Sequence, residues 1–185
     1  MMAEPLHVLK HEHRIIEQAL RALDGVCLRL EWGDMVAHEI LMQLVDFIGN
    51  FGDRLHHRKE EMYLFPALER QGIVRESGPL SMLEHEHAVE RGLVADLRRA
   101  VDQYKDGDTE ARRAFVESAR LFTDMLAGHI QKEDGILFRL AEDMLDEDEK
   151  SLLAEAFNQI ETEIGADKIE YYARLADRLE DEWAV

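Results

Sequence analysis

Two short patterns each occur twice in this chain, at nearly the same offset, and the duplication constrains the fold more than any other feature. Lys10-His11-Glu12-His13 is answered by Glu84-His85-Glu86-His87, 74 residues on. His56-x-x-Lys59-Glu60-Glu61-x-x-Leu64-Phe65 is answered by His129-x-x-Lys132-Glu133-Asp134-x-x-Leu137-Phe138, 73 residues on. A chain matching itself in two places at one period is built from two similar halves. Each half reads as a helical hairpin, and two hairpins folded together bury four apolar faces in one bundle, whose sites are assembled from inward side chains on facing helices. The fold class expected is all-α.

The apolar spacing supports this along the whole chain. Leu9, His13, Ile16, Leu20, Leu23, Cys27 and Leu30 form one stripe after Pro5, and Gly33-Asp34 ends that helix and caps the next, over about Met35 to Gln71. A third stripe follows Gly78-Pro79 through Leu80, Leu83, His87, Val94, Leu97 and Val101. Asp106-Gly107-Asp108-Thr109 breaks the pattern, and a fourth helix carries Phe115, Phe122, Met125, Leu126, His129, Glu133, Ile136 and Leu140 to about Met144. Beyond it, Leu152, Leu153, Phe157, Ile160 and Ile164 mark a fifth helix. Asp167 with Glu170 reads as a capping box for a last one carrying Ile169, Tyr172, Ala176, Leu179 and Trp183. The organisation expected is a four-helix domain over residues 1–145 and an acidic amphipathic extension over 146–185, covering the bundle or a second subunit.

Composition narrows the function classes. The net charge of −18 argues against nucleic acid and anionic membrane surfaces as partners, and residues 146–185 hold half of it, with 13 acids against 4 bases. No run of 18 apolar residues occurs, and the start lacks a basic and apolar leader. A single cysteine, Cys27 on an apolar stripe, fits a reducing cytoplasm and a buried structural role.

An α-helix turns about 100° and rises ~1.5 Å per residue, so His56 and Glu60 share one face. Leu41, Val45, Ile48, Phe51, Gly52, Leu55 and Tyr63 fall on that side, which points it into the core and turns His57 and Glu61 outward. By the same reasoning His11 and His85 face out, and His7 and His38 lie on the surface. Each half then supplies two histidines and one glutamate to a shared interior: His13, His56 and Glu60 from the first, His87, His129 and Glu133 from the second. Buried carboxylates are costly unless paired or coordinated, and one or two divalent ions would compensate this set. Thiolates are missing for structural zinc, and imidazole is too prominent for calcium or magnesium. Two imidazoles and one carboxylate per ion leave open coordination positions, as in redox-active non-haem iron. Two irons bridged by Glu60 and Glu133 are the economical solution; manganese, zinc or a mixed pair are the alternatives.

These residues resemble the hemerythrin-like, or HHE cation-binding, family. The likeness runs from about Leu6 to Met144 and rests on His13, on HHRKEEMYLFP at 56–66, EHEH at 84–87 and HIQKEDGILF at 129–138. It implies an up-down-up-down four-helix bundle holding two non-haem iron ions with a bridging oxo or hydroxo group, and it carries the ligands over as His13, His56, Glu60, His87, His129 and Glu133. The chain looks closer to bacterial members, including those tied to repair of iron-sulfur clusters after nitrosative stress, than to the invertebrate oxygen carriers. Oxygen carriers place a second histidine one turn after the third-helix His, where this chain has Arg91, which argues against reversible oxygen carriage. Their last motif, His-x4-Asp, would select Asp134, whereas the repeat selects Glu133. The cluster-repair proteins carry an N-terminal cysteine-bearing domain, whereas the bundle here starts within the first ten residues, which argues against that specific role.

Three residues stand as additional candidates. Glu90 lies about 300° on from His87, on the inward side, where the first repeat has Ile16; it reads as a further carboxylate ligand or as a partner of Arg91. Tyr63 reads as core packing or as a donor behind the ligands, and Arg91 as a second group near the centre. The expected function is the binding of O2, peroxide or NO at an open iron position, for sensing, storage or stress protection. A peroxidase- or catalase-like or NO-reducing oxidoreductase is the catalytic alternative, and an iron-donor or interaction module acting through the acidic C-terminal segment is the third. The partners expected are a small diatomic or peroxide ligand and an electron donor, with the chain a monomer or a homodimer.

Overall fold

The structure, a computed structural model, describes residues 4–104 and 108–185, and among them there is no strand. Part of the break expected at Asp106-Gly107 lies outside the described residues. Six helices follow one another: α1 (Pro5–Trp32), α2 (residues 38–70), α3 (Gly78–Gln103), α4 (residues 109–144), α5 (Glu147–Ile164) and α6 (Ala166–Trp183).

Local chemistry accounts for most of the helix ends. At α1 the Glu4 carboxylate accepts the N–H of His7 at 2.7 Å, ahead of Pro5 in the first turn. Asp108 accepts from the N–H groups of Glu110 and Ala111, and Asp146 from that of Glu149, so both following helices begin on a side-chain cap. Gly33 closes α1 with φ 91°, a left-handed conformation that costs glycine little. Two expected caps are not formed. Asp34 does not start α2, which begins at His38, and the intervening strand of chain is held by the Tyr104 hydroxyl donating to the Val36 carbonyl at 3.0 Å. Helix α6 starts directly after Gly165, one residue ahead of Asp167, with no side-chain cap.

Helices α1 to α4 pack in a ring, each against the next and α4 back against α1, which is the up-down-up-down bundle. Helix α6 lies along α1, and α5 crosses the middle of α2. Helix α1 is therefore buried on two sides. Its expected stripe enters the bundle, while Ile15, Ala22 and Val26 share a core with Tyr172, Leu175, Ala176 and Leu179 of α6. The close approach depends on Gly25, where a Cβ would stand 1.7 Å from the Trp183 carbonyl oxygen. Two expected core positions are exposed: Leu152, whose neighbour Leu153 is buried instead, and Ile136.

Helices α2 and α4 are not α-helical throughout. Ile48–His57, Glu60–Leu64 and Glu133–Leu137 are π-helical, with i→i+5 bonds such as Phe65 N–H to the Glu60 carbonyl and Phe138 N–H to the Glu133 carbonyl. The last two are repeat partners, so each half places a π turn at its glutamate. Such turns recur at functional sites because they shift side-chain phase within a continuous helix. That shift turns Ile136 out of the core.

The apolar interior forms two clusters, one around Leu23, Phe47, Phe115 and Phe122, the other around Leu9, Phe65, Leu83 and Phe138. Between them lies a polar layer, and it holds the candidate site.

Candidate metal centre

Ten titratable side chains are buried in that layer or on its edge: Glu12, His13, His56, His57, Lys59, Glu60, His87, Glu90, His129 and Glu133. All six residues selected from the repeat come together here. They form two donor groups whose ligand atoms lie within 4.8 Å of one another: His13, His56, Glu60 and Glu133 in one, His57, Glu60, His87 and His129 in the other. Each glutamate presents one oxygen to each group. Glu60 Oε1 is 3.6 Å from His56 Nε2 and its Oε2 is 3.6 Å from His87 Nε2. Glu133 Oε2 is 3.1 Å from His13 Nε2 and its Oε1 is 3.1 Å from His129 Nε2. Each glutamate therefore turns its two oxygens toward histidines of different helix pairs.

The duplication is visible in the geometry. The His13 and His56 rings are 4.6 Å apart and inclined by 59°; the His87 and His129 rings are 4.7 Å apart and inclined by 55°. Phe138 stacks on His13 and Phe65 on His87, so the Leu-Phe of each half covers a histidine of the other.

Behind every one of these four imidazoles stands a carboxylate. His13 Nδ1 meets Asp134 at 2.7 Å, His56 Nδ1 meets Glu12 at 3.0 Å, His87 Nδ1 meets Glu61 at 2.7 Å, and His129 Nδ1 meets Glu86 at 2.9 Å. An ionised carboxylate only accepts, so each Nδ1 donates and each Nε2 is left facing the interior. A cation stands behind each carboxylate in turn: Arg14 on Asp134, Lys59 on Glu12, Arg91 on Glu61 and Lys132 on Glu86. Asp134 is thus a support for His13 and belongs to neither donor group. Arg91, half-exposed, stands behind the ligand histidines in the same way, reaching His87 through Glu61. Tyr63 packs against both apolar clusters.

His57 corrects the helical-wheel expectation. It is buried, stacked on His87 with ring centroids 3.9 Å apart, and its Nε2 is 3.5 Å from Glu90. An ideal α-helix puts it on the outer face. The π-helical stretch ending at His57 has more residues per turn, so neighbours are separated by less than 100° and both histidines of the doublet point inward. The repeat gave no hint of it, since position 130 is Ile; only the His-His doublet was a signal. Glu90 likewise has Ile16 as its partner, and it sits beside His57 and His129 without entering either four-residue group. The second donor group is therefore richer in polar side chains than the first. Glu61, expected to face outward, is half-buried behind His87. His11 and His85 are exposed, as the wheel predicts.

The electrostatics show what the cluster lacks. Burial, reinforced by Glu133, pushes the Glu60 carboxyl well above its ordinary range, and burial raises Glu90 as well. Burial opposes ionisation of Glu133 too, but His129 and His13 prevail and hold it well below. Burial lowers His56 strongly and His87 to about 4, each with help from neighbouring histidines. His129 is raised to about 9 because Glu133 outweighs burial, and His13 is raised by its bonds to Asp134 and Glu133 against the same burial. Burial also lifts Glu12 to about 7, with Lys59 opposing. Both oxygens of Glu60, one of Glu133 and the Nε2 of His56 have no hydrogen-bond partner among the described residues. His87 Nε2 and His129 Nε2 lie 3.0 Å apart with their Nδ1 protons already committed, so a proton or a cation must stand between them. Divalent ions at the two groups would satisfy these atoms, and the residues present fit such ions.

A four-helix bundle with imidazoles and carboxylates converging on a buried layer defines a cation-binding bundle protein. The chain belongs to the hemerythrin family: the profile of the Hemerythrin HHE cation binding domain matches residues 4–141. Uncharacterized proteins of Mycobacterium bovis and Mycobacterium tuberculosis are 26% identical over 153 residues, covering 83% of this chain and 59% of theirs. The chain thus spans well under two thirds of the length of these curated relatives. No solved structure gives a significant match. Family and donor groups together suggest a metal-binding helical protein, iron being the typical metal. None of the helices is long and apolar enough to cross a membrane, among the described residues.

Proposed function

We propose that this chain is a non-haem di-iron protein that takes up dioxygen, peroxide or nitric oxide for sensing, storage or stress protection. The observation that supports it most is the pair of donor groups sharing Glu60, in a buried layer where both Glu60 oxygens, Glu133 Oε1 and His56 Nε2 have no hydrogen-bond partner among the described residues. His13, His56 and Glu133 would hold one ion and His57, His87 and His129 the other, with Glu60 common to both groups. A set of imidazoles and carboxylates without thiolates suits iron, with manganese and zinc as alternatives. When bound, the ions supply Lewis acidity and one-electron exchange to a small ligand.

The chain's own residues do the remaining work. The four outer carboxylates fix the tautomer and orientation of the rings. Phe65 and Phe138 cover two of them from below. Beside His57 and Glu90 lies a cavity of about 20 Å³ bounded by Ile16, Phe47, Val94 and Leu126. Asp53 and Arg91 complete its polar side, and it has room for roughly one water-sized molecule, a size that supports a diatomic or peroxide ligand over an organic substrate.

Reconstitution with iron followed by elemental analysis tests the reading. The expected result is about two irons per chain and an absorption spectrum that changes on adding oxygen, peroxide or nitric oxide; a chain that retains no metal overturns it. Steady-state consumption of peroxide or nitric oxide, lost in His56→Ala, would identify the catalytic alternative.

A further inference from the structure

Of the four cations behind the outer carboxylates, three reach water: the side chains of Arg14, Arg91 and Lys132 are 54%, 42% and 30% exposed. Lys59 is 0% exposed. It is the repeat partner of Lys132, and the two differ because α5 crosses the first half of the bundle at this point. Phe157 of α5 lies 5.5 Å from the Lys59 ammonium, and Glu161, one α5 turn further on, accepts from it at 2.7 Å.

A buried ammonium has three protons to place and a full charge to compensate. Glu12 provides one carboxylate, but Glu12 is already shared with His56 Nδ1. Glu161 provides the second. The side chains therefore run without interruption from the extension to the donor layer: Glu161, Lys59, Glu12, His56. In the second half the corresponding series ends at Lys132, whose side chain reaches the surface.

We infer that Glu161 is a positioning residue for the first donor group: through Lys59 and Glu12 it holds the His56 ring with Nε2 turned into the site, so the C-terminal helices set the metal affinity of the His13–His56 group. Without Glu161, the Lys59 ammonium has only Glu12 to satisfy it and competes with His56 Nδ1 for that carboxylate. The His87–His129 group has no such dependence. This rests on the metal-binding function proposed above.

The test uses the full chain with Glu161→Gln, which keeps the side chain's size at a partly exposed position. Loaded anaerobically with Fe(II), and in parallel with Co(II) as a spectroscopic probe, the variant should bind one ion about 10- to 100-fold more weakly and the other as wild type does. Glu161→Asp should recover part of the loss. Glu163→Gln, which removes only a surface pair with Arg58, should bind both ions normally. A Glu161→Gln chain that releases both ions at wild-type rates, or weakens both equally, overturns the inference whatever happens to its thermal stability. In the metal-free chain, imidazole ¹⁵N NMR should show the His56 signals moved by Glu161→Gln and those of His129 unmoved; unmoved His56 signals also overturn it. That readout needs no ion, so a wild-type chain that binds no metal yet shows the His56 shift would count against the metal-binding reading alone.

Discussion

At His57 one side chain decides how the second donor group is composed. Its ring lies flat against His87, and its repeat partner is Ile130, so the two halves of the site are related in outline and unequal in content. His57→Ala should lower the iron content from about two toward about one per chain, while His13, His56, Glu60 and Glu133 keep their geometry. Elemental analysis after desalting measures this, with exposed His85→Ala as the comparison. Full occupancy at wild-type affinity in His57→Ala would make His57 a packed core histidine and nothing more. The six residues of the repeat were legible because helical periodicity and duplication agree at each of them. His57 was not, because a wheel drawn at 100° per residue has no place for a π-helical turn.

At the scale of elements, the extension depends on one close crossing. Gly25 has no room for a methyl group beneath the end of α6, where overpacking typically costs about 1–3 kcal/mol. Gly92, mid-way along α3 and exposed, has nothing within 4 Å of the corresponding position. Gly25→Ala should therefore lower the melting temperature, whereas Gly92→Ala should raise stability by roughly 0.5–1 kcal/mol through helix propensity. Thermal denaturation of the two variants should show shifts of opposite sign; a Gly25→Ala chain that melts no lower than wild type would show that α6 does not pack on α1 as closely as the structure has it. The apolar stripes of α5 and α6 announced two amphipathic helices, but where they dock followed from a second stripe on α1. That stripe, Ile15, Ala22 and Val26, is thin and interleaved with Gln18 and Arg21, which bond Asp177 and Glu180 of α6, and is easily read as a solvent face.

Across the whole molecule, metal and protons compete for one set of atoms. In the metal-free chain near neutral pH, His129, raised to about 9 by Glu133, carries a proton that a divalent ion must displace, so metal uptake in weak buffer should release acid, measurable with a pH indicator. Folding stability of the metal-free chain should respond in the opposite sense to metal affinity. His129 is raised from 6.5 to about 9, so the stability it contributes is fully present below 6.5 and is lost as the pH rises through about 9. The metal-free chain should thus melt at lower temperature at pH 9 than at pH 6.5, while the apparent affinity for a divalent ion rises over the same interval. Calorimetry with and without metal at the two pH values checks both. A metal-free chain more stable at pH 9 would show that His129 is not held by Glu133 as the geometry implies.

From the sequence by itself came the all-α fold, the two-fold organisation of the bundle and six of the residues in the donor layer. All of these follow from local periodicity, which a helix expresses wherever it packs. Tertiary structure alone decided the rest. It turned His57 inward, set Asp134 and Arg91 behind the histidines, and placed Glu161 on Lys59. The reason is physical: a π-helical turn changes which faces a helix presents. Ion pairs between residues some hundred positions apart, such as Lys59 and Glu161, exist only once helices have docked and driven out the water that would otherwise satisfy them.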